Sequence, residues 1–435
     1  MRTLSSNRIS SYLKLKRIAS TWSYEGIVAW LLVFIVIANC FKLIIIPEVV
    51  PKLLHWGLDA FLLLWFLYQL IYQKISKAIM RRFRFVWLFM LLVVVTMVNA
   101  YIFYGQTFDQ SFRIICCWFE YILVFWLARK KFSVDSLYYA VFIFSFIIWG
   151  LWLYTLLSGN IITLMDVADS DLEGTRGIER IKISGGAITT LFTFWSMGKY
   201  VKYNKPIYLI IFLISAMMSL FSVSRQHIAA FGAISILFFF QGFALYKKTI
   251  LIAAVAVFFY VVLPKITIYQ RLQEITEAQF EQNEGMKEDV RTHAAIYYTT
   301  EFDQSFYTKI FGNCKYHADS PYGNKISYVA YNYGYVLSDI GFVGIYIYFG
   351  IAGLLLFGYI LYWTWKSKTD EEYRALKYMI YYLYLGNILS HSLETTTFIV
   401  PIAFFLIESE CRRRILNKQK IQNYKRLTES KHNDE

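Results

Sequence analysis

The sequence has few charged residues for its length. Aspartate, glutamate, lysine and arginine make up 17% of the 435 residues, against about a quarter in a typical soluble domain. Hydrophobic residues make up 57%, and the mean hydropathy is +0.43. This scarcity of charge excludes a soluble globular protein and indicates that lipid is the main solvent of the chain.

Several motifs of soluble enzymes are also absent. The chain contains no Walker-type phosphate loop, no dinucleotide fingerprint, no HExxH pair and no GxSxG elbow. A reaction here must therefore use a pre-activated donor or a gradient, because the chain offers no ATP site. The five cysteines follow no metal-binding spacing, and only Cys314 falls in a long loop, so no disulfide framework is implied.

Apolar runs of membrane-spanning length fill most of the chain. They predict an all-α fold, a polytopic membrane helix bundle of about twelve spans. Residues 1–263 would hold about nine spans, 264–335 one large polar loop, 336–410 about three spans and 411–435 a basic tail. The predicted spans are approximately 26–46, 53–72, 85–104, 114–128, 137–157, 184–200, 207–222, 227–246, 249–263, 336–363, 376–393 and 397–408.

The basic residues mark the predicted topology. The formal net charge is +14, and the surplus lies in both tails and in alternate connectors, whereas the remaining connectors are neutral or acidic. Such a surplus in short flanking loops predicts orientation and not a nucleic-acid groove. By the positive-inside rule, both termini are predicted to be cytoplasmic and the loop 264–335 extracytoplasmic.

The loop 264–335 is predicted to be a partly helical lid. Val290, Ala294, Tyr297 and Tyr298 recur at the spacing of one helix face, which could lie over the mouth of the bundle. Residues 267–284 also carry helix formers. Residues 312–334 are rich in Gly, Asn, Tyr and Ser, and we expect them to be irregular.

Arg225 is the most informative single residue. It follows Ser224 in a turn of a few residues at the predicted outer end of two spans. A guanidinium is always charged and can hold a phosphate through two hydrogen bonds. The alternative is an interfacial arginine that extends to the headgroups, although positive charge is disfavoured on this side of the predicted topology.

Four further residues are candidates on weaker grounds. Arg180 and Lys182 lie just before the sixth predicted span, with an ordinary loop-to-helix junction as the alternative. Arg291 lies on the predicted lid helix, where a solvated helix face is the alternative. His317 could act as a general base oriented by Asp319, or it is an ordinary surface histidine.

Four titratable residues lie within or beside the apolar runs. Asp59 and Glu120 fall inside predicted spans, and intramembrane carboxylates usually face the bundle interior. They could pair with each other or with an arginine, and a proton relay is an alternative. His391 and Glu394 end the eleventh predicted span and are candidate neighbours of the site.

These features together resemble the O-antigen polymerase and O-antigen ligase superfamily, which extends to exopolysaccharide and capsule polymerases. The resemblance covers approximately residues 180–357. It rests on the span count, the single outer loop and four motifs: Ser224-Arg225, Arg291 followed by Ile310-Phe311-Gly312, Tyr331-Asn332-Tyr333-Gly334, and Asp339-Ile340-Gly341-Phe342-Val343-Gly344. A His-Asn pair often found in that family is replaced by Tyr331-Asn332, so either His317 takes its place or the base is absent from that site.

The resemblance implies a glycosyltransferase of the bacterial inner (cytoplasmic) membrane. It would polymerise undecaprenyl-diphosphate-linked oligosaccharide repeat units by transfer to the hydroxyl of an acceptor glycan, without metal or cofactor. Arg225, Arg180 and Arg291 would hold the diphosphate, and His317 or a carboxylate would take the acceptor proton. The remaining contacts to diphosphate or glycan would come from Lys182, Ser224, Tyr331, Asn332 and Asp339.

The partners implied are the lipid-linked oligosaccharide, the acceptor glycan, membrane lipid and a chain-length regulator. A ligase that passes finished glycan to a lipid or cell-wall acceptor is the alternative within the family. A lipid-linked oligosaccharide flippase or other transporter is the alternative of another class. The sequence shows neither the inverted repeats nor the paired broken helices that are typical of transporters.

Overall fold

The computed structural model describes residues 24–37, 49–72, 75–130, 133–158, 186–221, 225–242, 289–302, 305–388 and 390–433, with a few single positions between 246 and 270. Every regular element in this part of the chain is helical, as predicted. The helices are α1 (Tyr24–Ile37), α2 (Val49–Ile71), α3 (Lys77–Arg82), α4 (Arg84–Tyr104), α5 (Phe108–Ile115), α6 (Leu123–Lys130), α7 (Val134–Ser158), α8 (Gly186–Tyr203), α9 (Pro206–Phe221), α10 (Arg225–Gly242), α11 (Val290–Ile296), α12 (Phe306–Phe311), α13 (Pro321–Tyr333), α14 (Gly341–Lys366), α15 (Glu371–Gly386) and α16 (Ile399–Asn433).

Five of the described segments are long and apolar enough to cross a membrane. They are Lys52–Ile71, Arg84–Tyr104, Phe108–Arg129, Val134–Tyr154 and Gly341–Lys366. Shorter apolar helices lie at Glu25–Ile37, Pro206–Ala216 and Gln226–Gly242. The chain is therefore a helical membrane protein by length and composition, while the count of twelve spans stays a prediction. The ninth predicted span, 249–263, and the first lid helix, 267–284, lie almost wholly outside the described residues.

The bundle is held together by a large aromatic core. Phe89 of α4 lies 5.4 Å from Trp118, 5.0 Å from Phe349 and 5.5 Å from Phe357, measured between ring centroids. All four rings are buried. Edge-on and tilted aromatic pairs at this distance add about 0.5–1.5 kcal/mol each to the burial of their apolar area.

Helix α13 corrects one sequence prediction. Residues 312–334 were expected to be irregular, yet Pro321–Tyr333 form a regular helix. Ser320 caps its first turn by accepting a hydrogen bond from Gly323 N–H, and Pro321 occupies a first-turn position where no backbone donor is needed. Gly334 ends the helix with φ of 70°, the left-handed conformation that glycine adopts without steric cost. The capping interactions at both ends of α13 therefore stabilise a helix in a segment whose composition is typical of loops.

The second of the two helical parts predicted in the loop 264–335 is present. Helix α11 continues into a π-helical turn at Tyr297–Glu301. Ala294 and Tyr298 are buried as predicted and Tyr297 is half-buried, whereas Val290 is exposed. We use "lid" for the described residues 289–302 and 305–335.

Helix α14 is broken at Gly350, and the lid enters the break. Gly350 has φ of 64° and ψ of −166°, a conformation open essentially to glycine alone. The break frees two carbonyl groups, and the lid uses both: Asn313 N–H donates to Ile347 O at 2.8 Å and Cys314 N–H donates to Tyr348 O at 3.0 Å. Since Gly350 lies nine residues into α14, the lid reaches roughly 14 Å along that helix.

Candidate functional site

The connector between α15 and α16, residues 387–398, is where several elements of the bundle meet. Its own conformation is fixed by Asn387, which is fully buried and whose Oδ1 accepts a hydrogen bond from Leu393 N–H at 3.0 Å. Side chains of this connector then contact α10, the lid, α14 and the segment between α5 and α6. We call it the α15–α16 connector.

The start of α10 is docked on this connector. Gln226 Nε2 donates to Leu385 O at 3.0 Å and to Gly386 O at 2.7 Å. His227 Nε2 lies 3.1 Å from Ser390 Oγ and 2.9 Å from Ser392 Oγ. The helix that Arg225 begins is therefore anchored by Gln226 to the end of α15 and by His227 to the α15–α16 connector.

The lid is held on the other side of the same connector by Gln106. This residue is fully buried, and its Nε2 donates to Lys315 O at 2.9 Å. Its Oε1 accepts from His317 N–H at 2.7 Å and from Ser320 Oγ at 2.9 Å. One amide therefore fixes the backbone on both sides of Tyr316 and sets the direction of the Lys315 side chain.

Lys315 meets a carboxylate and a histidine of the connector. Its Nζ donates to Glu394 Oε1, and His391 Nδ1 lies 2.8 Å from Glu394 Oε2. His391 Nε2 lies 3.1 Å from Leu337 O. An ionised carboxylate and a carbonyl only accept hydrogen bonds, so the imidazolium form of His391 satisfies both contacts at once.

Glu394 and Lys315 stabilise each other's charged forms. Burial alone would raise the pKa of Glu394, but the hydrogen bond from His391 and the charge of Lys315 hold it below its ordinary value. Burial alone would lower the pKa of Lys315, but Glu394 raises it. The ammonium of Lys315 therefore stays charged and, with 31% of its side chain exposed, remains accessible to an anion.

A second buried polar group adjoins the first. His55 Nε2 of α2 lies 3.1 Å from Glu120 Oε1, and Thr397 Oγ1 of the connector donates to Glu120 Oε2. Glu120 belongs to a 3₁₀ segment, Cys116–Ile122, that joins α5 to α6. The Cys117 side chain interacts electrostatically with Glu120, Glu394 and Lys315, so the two polar groups lie side by side.

The predicted arginine site lies mostly outside the described residues. Arg180, Lys182 and Ser224 are among the residues not described. Arg225 begins α10, but its side chain is also not described. Arg291 lies in the first turn of α11 and is exposed. The convergence of these groups on one diphosphate therefore stays a prediction.

His317 is present in the lid with a different partner from the one expected. The backbone N–H of Asp319 donates to His317 Nδ1 at 3.2 Å, while the Asp319 carboxylate oxygen lies 3.8 Å from that nitrogen. In the neutral ring this contact places the proton on Nε2, so the ring presents a donor. Its role as general base stays a prediction.

The remaining predicted binding residues lie on exposed surface of the lid and just after it. Tyr331 is 91% exposed on α13, and Asn332 Nδ2 donates to Tyr328 O of its own helix. Asp339 is exposed in the short turn before α14, beside Ser338 Oγ at 3.4 Å. None of these three side chains reaches the α15–α16 connector through a hydrogen bond in the described part of the chain.

Sequence reasoning missed two members of the site. His55 stands four residues before Asp59 on one helix face, a spacing visible in the sequence once Asp59 is singled out. Lys315 stands two residues before His317, but nothing local indicates that its partner is 79 residues away. His391 and Glu394, predicted as neighbours of the site, lie on the α15–α16 connector, and their place in a substrate site stays a prediction.

The chain was also compared with known proteins. It matches no protein-family model and no curated protein. The function must therefore be inferred from the residues and their geometry.

Proposed function

We propose that this chain is a polysaccharide polymerase of the bacterial cytoplasmic membrane. It would join oligosaccharide repeat units carried on undecaprenyl diphosphate into O-antigen, capsule or exopolysaccharide. The observation that carries the proposal is the α15–α16 connector, where Ser390 and Ser392 contact His227 at the start of the Arg225 helix and Glu394 contacts Lys315 of the lid. Two separate parts of the chain that carry cations thus adjoin one buried polar cluster.

The chemistry of the cluster suits a diphosphate leaving group. Breaking the anomeric C–O bond leaves negative charge on the diphosphate, and fixed cations stabilise that charge without further reorganisation. Lys315 would contribute one such cation and Arg225 a second. Glu394 would position Lys315, because its Oε1 accepts a hydrogen bond from the ammonium group, and His391 would orient Glu394 through its other carboxylate oxygen.

The lid offers a surface suited to sugars. Tyr328, Tyr331 and Tyr333 of α13 are all exposed, and tyrosine presents an apolar ring together with a hydroxyl group. The acceptor and donor glycans would lie along this surface, and the polyprenyl chain between apolar helices. Either His317 or a carboxylate would take the proton of the acceptor hydroxyl.

The proposal is tested by variants in a strain that lacks the gene. Lys315→Ala should reduce long-chain polymer roughly 100-fold or more, since a charge-stabilising group is removed. Arg225→Ala should do the same, and Arg225→Lys should also fail if the diphosphate is held by two parallel hydrogen bonds. Polymer length is read on glycan gels and protein abundance by immunoblot of membranes.

Lys309→Ala is the matched control, because Lys309 is an exposed lysine of the same lid and should be dispensable. Full-length polymer at normal abundance in Lys315→Ala and Arg225→Ala would refute the proposal. The gels also separate the family's two reactions. Loss of a polymerase leaves single repeats on the acceptor, whereas loss of a ligase leaves free lipid-linked polymer.

A further inference from the structure

Three potential metal ligands lie together beside the first half of α2. His55 and Asp59 are four residues apart on the same helix face, and Glu120 faces them from the 3₁₀ segment. Their ligand atoms all lie within 4.8 Å of one another. His55 Nε2 is 3.1 Å from Glu120 Oε1 and 3.7 Å from Asp59 Oδ2.

Asp59 lacks the partners that a buried carboxylate requires. The residue is fully buried, and neither carboxylate oxygen has a well-formed hydrogen bond among the described residues; apart from His55 its neighbour is the Cys116 thiol, a weak donor. Its 3.7 Å separation from His55 is too long for a hydrogen bond. A buried carboxylate without a partner is costly anywhere in a protein, and more so in an apolar helix of membrane-spanning length.

The orientation of the Glu120 carboxylate is fixed by a hydrogen bond to its second oxygen. Thr397 Oγ1 donates to Glu120 Oε2, which leaves Oε1 directed at His55 and Asp59. Hydrogen bonds of this kind, from a neighbouring group to a ligand's second oxygen, commonly orient the ligands of a metal ion. The carboxylate is therefore held in one orientation before any ion arrives.

Charge and distance both favour a divalent cation. With both carboxylates ionised, this group stays net negative even when His55 is an imidazolium, whereas a divalent ion with neutral His55 balances both carboxylates. Ligands placed 2.0–2.2 Å from a tetrahedral ion lie about 3.3 Å apart. The two separations measured from His55 Nε2, 3.1 and 3.7 Å, lie on either side of that value.

We propose that His55, Asp59 and Glu120 bind a divalent transition-metal ion, with Zn²⁺ as the ion that mixed nitrogen and oxygen ligands of this number suit best. The ion would tie α2 to the segment between α5 and α6. Helix α2 is the least buried of the membrane-length segments, with 22% of the residues in its apolar stretch buried against 50–67% in the other four. The ion takes no part in the proposed glycosyl transfer.

The test measures metal on purified full-length protein in detergent, prepared without a polyhistidine tag. After treatment with chelator, Zn²⁺ alone is added, free ion is removed by dialysis, and bound zinc is counted by mass spectrometry. We expect one equivalent per chain and a rise in the unfolding midpoint. His55→Asn and Glu120→Gln should bind zinc at least about tenfold more weakly, and Thr397→Val by a comparable factor.

Glu372→Gln is the control, because it neutralises a different buried carboxylate and should keep the full equivalent of zinc. If the wild-type protein retains no zinc, or if His55→Asn and Glu120→Gln retain as much as wild type, the proposal is wrong. His55, Asp59 and Glu120 would then share a proton and not bind a metal ion. The wild-type titration decides this even if a variant fails to fold, and it needs no glycan, so its outcome is separate from that of the polymer assay.

Discussion

The two ends of the bundle both bury carboxylates, but Glu372 at one end and Asp59 at the other are satisfied differently. At the end opposite the lid, Glu372 accepts hydrogen bonds from Trp195 Nε1 at 3.3 Å, Lys202 Nζ at 2.7 Å and Tyr203 OH at 3.2 Å. At the lid end, neither oxygen of Asp59 has a well-formed hydrogen bond among the described residues. A network in which every polar group has a hydrogen-bond partner holds helices together. A network in which some polar groups lack such partners leaves those groups to bind a ligand.

The backbone differs between the two ends as well. The charges opposite the lid lie on regular helices or at their caps, as with Asp370, which caps α15 and pairs with Lys202 at 3.0 Å. Except for His55 and Asp59 on the regular helix α2, the lid-end groups lie on the α15–α16 connector, on the 3₁₀ segment and on the lid residues inserted beside Gly350. Irregular backbone is tolerated inside an apolar bundle only where it is buried in protein or lines a polar site.

The largest effect on this comparison is expected from a substitution that disfavours the broken backbone of α14 at Gly350. A Cβ on Gly350 would lie 2.3 Å from Ile310 O and 2.6 Å from Gly312 N, in a backbone conformation that only glycine adopts readily. Gly350→Ala should therefore cost about 3 kcal/mol or more and displace the lid. The readouts are the unfolding midpoint in detergent and protease sensitivity of residues 305–320.

Gly358→Ala on the same helix is the matched control, because nothing lies within 4 Å of the added Cβ. Alanine is the better helix former, so this variant should be neutral or slightly stabilising. Equal behaviour of the two variants would show that the lid does not enter α14 at Gly350.

Local sequence patterns predicted the regular parts of this fold well. The span expected at 85–104 is α4, and Ala294 and Tyr298 share a buried face as their spacing indicated. These features depend on neighbours within two or three turns. Hydrophobic periodicity carries that information directly.

The site itself depends on contacts between distant parts of the chain. Lys315 and Glu394 are 79 residues apart, and His55 and Glu120 are 65 apart. Gly350 stands in an apolar run with other glycines, such as Gly353 and Gly358, and no local pattern marks it as the break. Pairing over such distances is decided by packing, which single residues in the sequence do not specify.

A second prediction concerns the pH dependence of the stability that Glu394 contributes at the lid end. The folded-state pKa of Glu394 lies below its ordinary value of 4.5, so its stabilisation is fully present above about pH 4.5 and is lost as pH falls through the lowered value. The pKa of Lys315 is raised above 10.5, so the pair stays ionised across neutral pH. Glu394→Gln should cost about 2 kcal/mol at pH 7, and this difference from wild type should shrink in acid.

The measurement is the unfolding midpoint of wild type and Glu394→Gln between pH 3.5 and pH 8, in one detergent and at one ionic strength. The two curves should approach each other as the pH falls. Parallel curves over this range would contradict the assignment of an ionised Glu394 to the lid-end cluster.

The smallest effect is expected opposite the lid, where the network is redundant. Glu410 is almost fully buried and pairs with Arg413 at 2.7 Å and with Arg414 at 3.1 Å. Arg414→Ala should cost only about 0.5 kcal/mol, because Arg413 still satisfies the carboxylate. Removing both arginines should cost more than the sum of the single changes, since Glu410 then loses both partners. Simple additivity in unfolding measurements on this double-mutant cycle would mean that the end opposite the lid is not saturated, and the contrast between the two ends would fail.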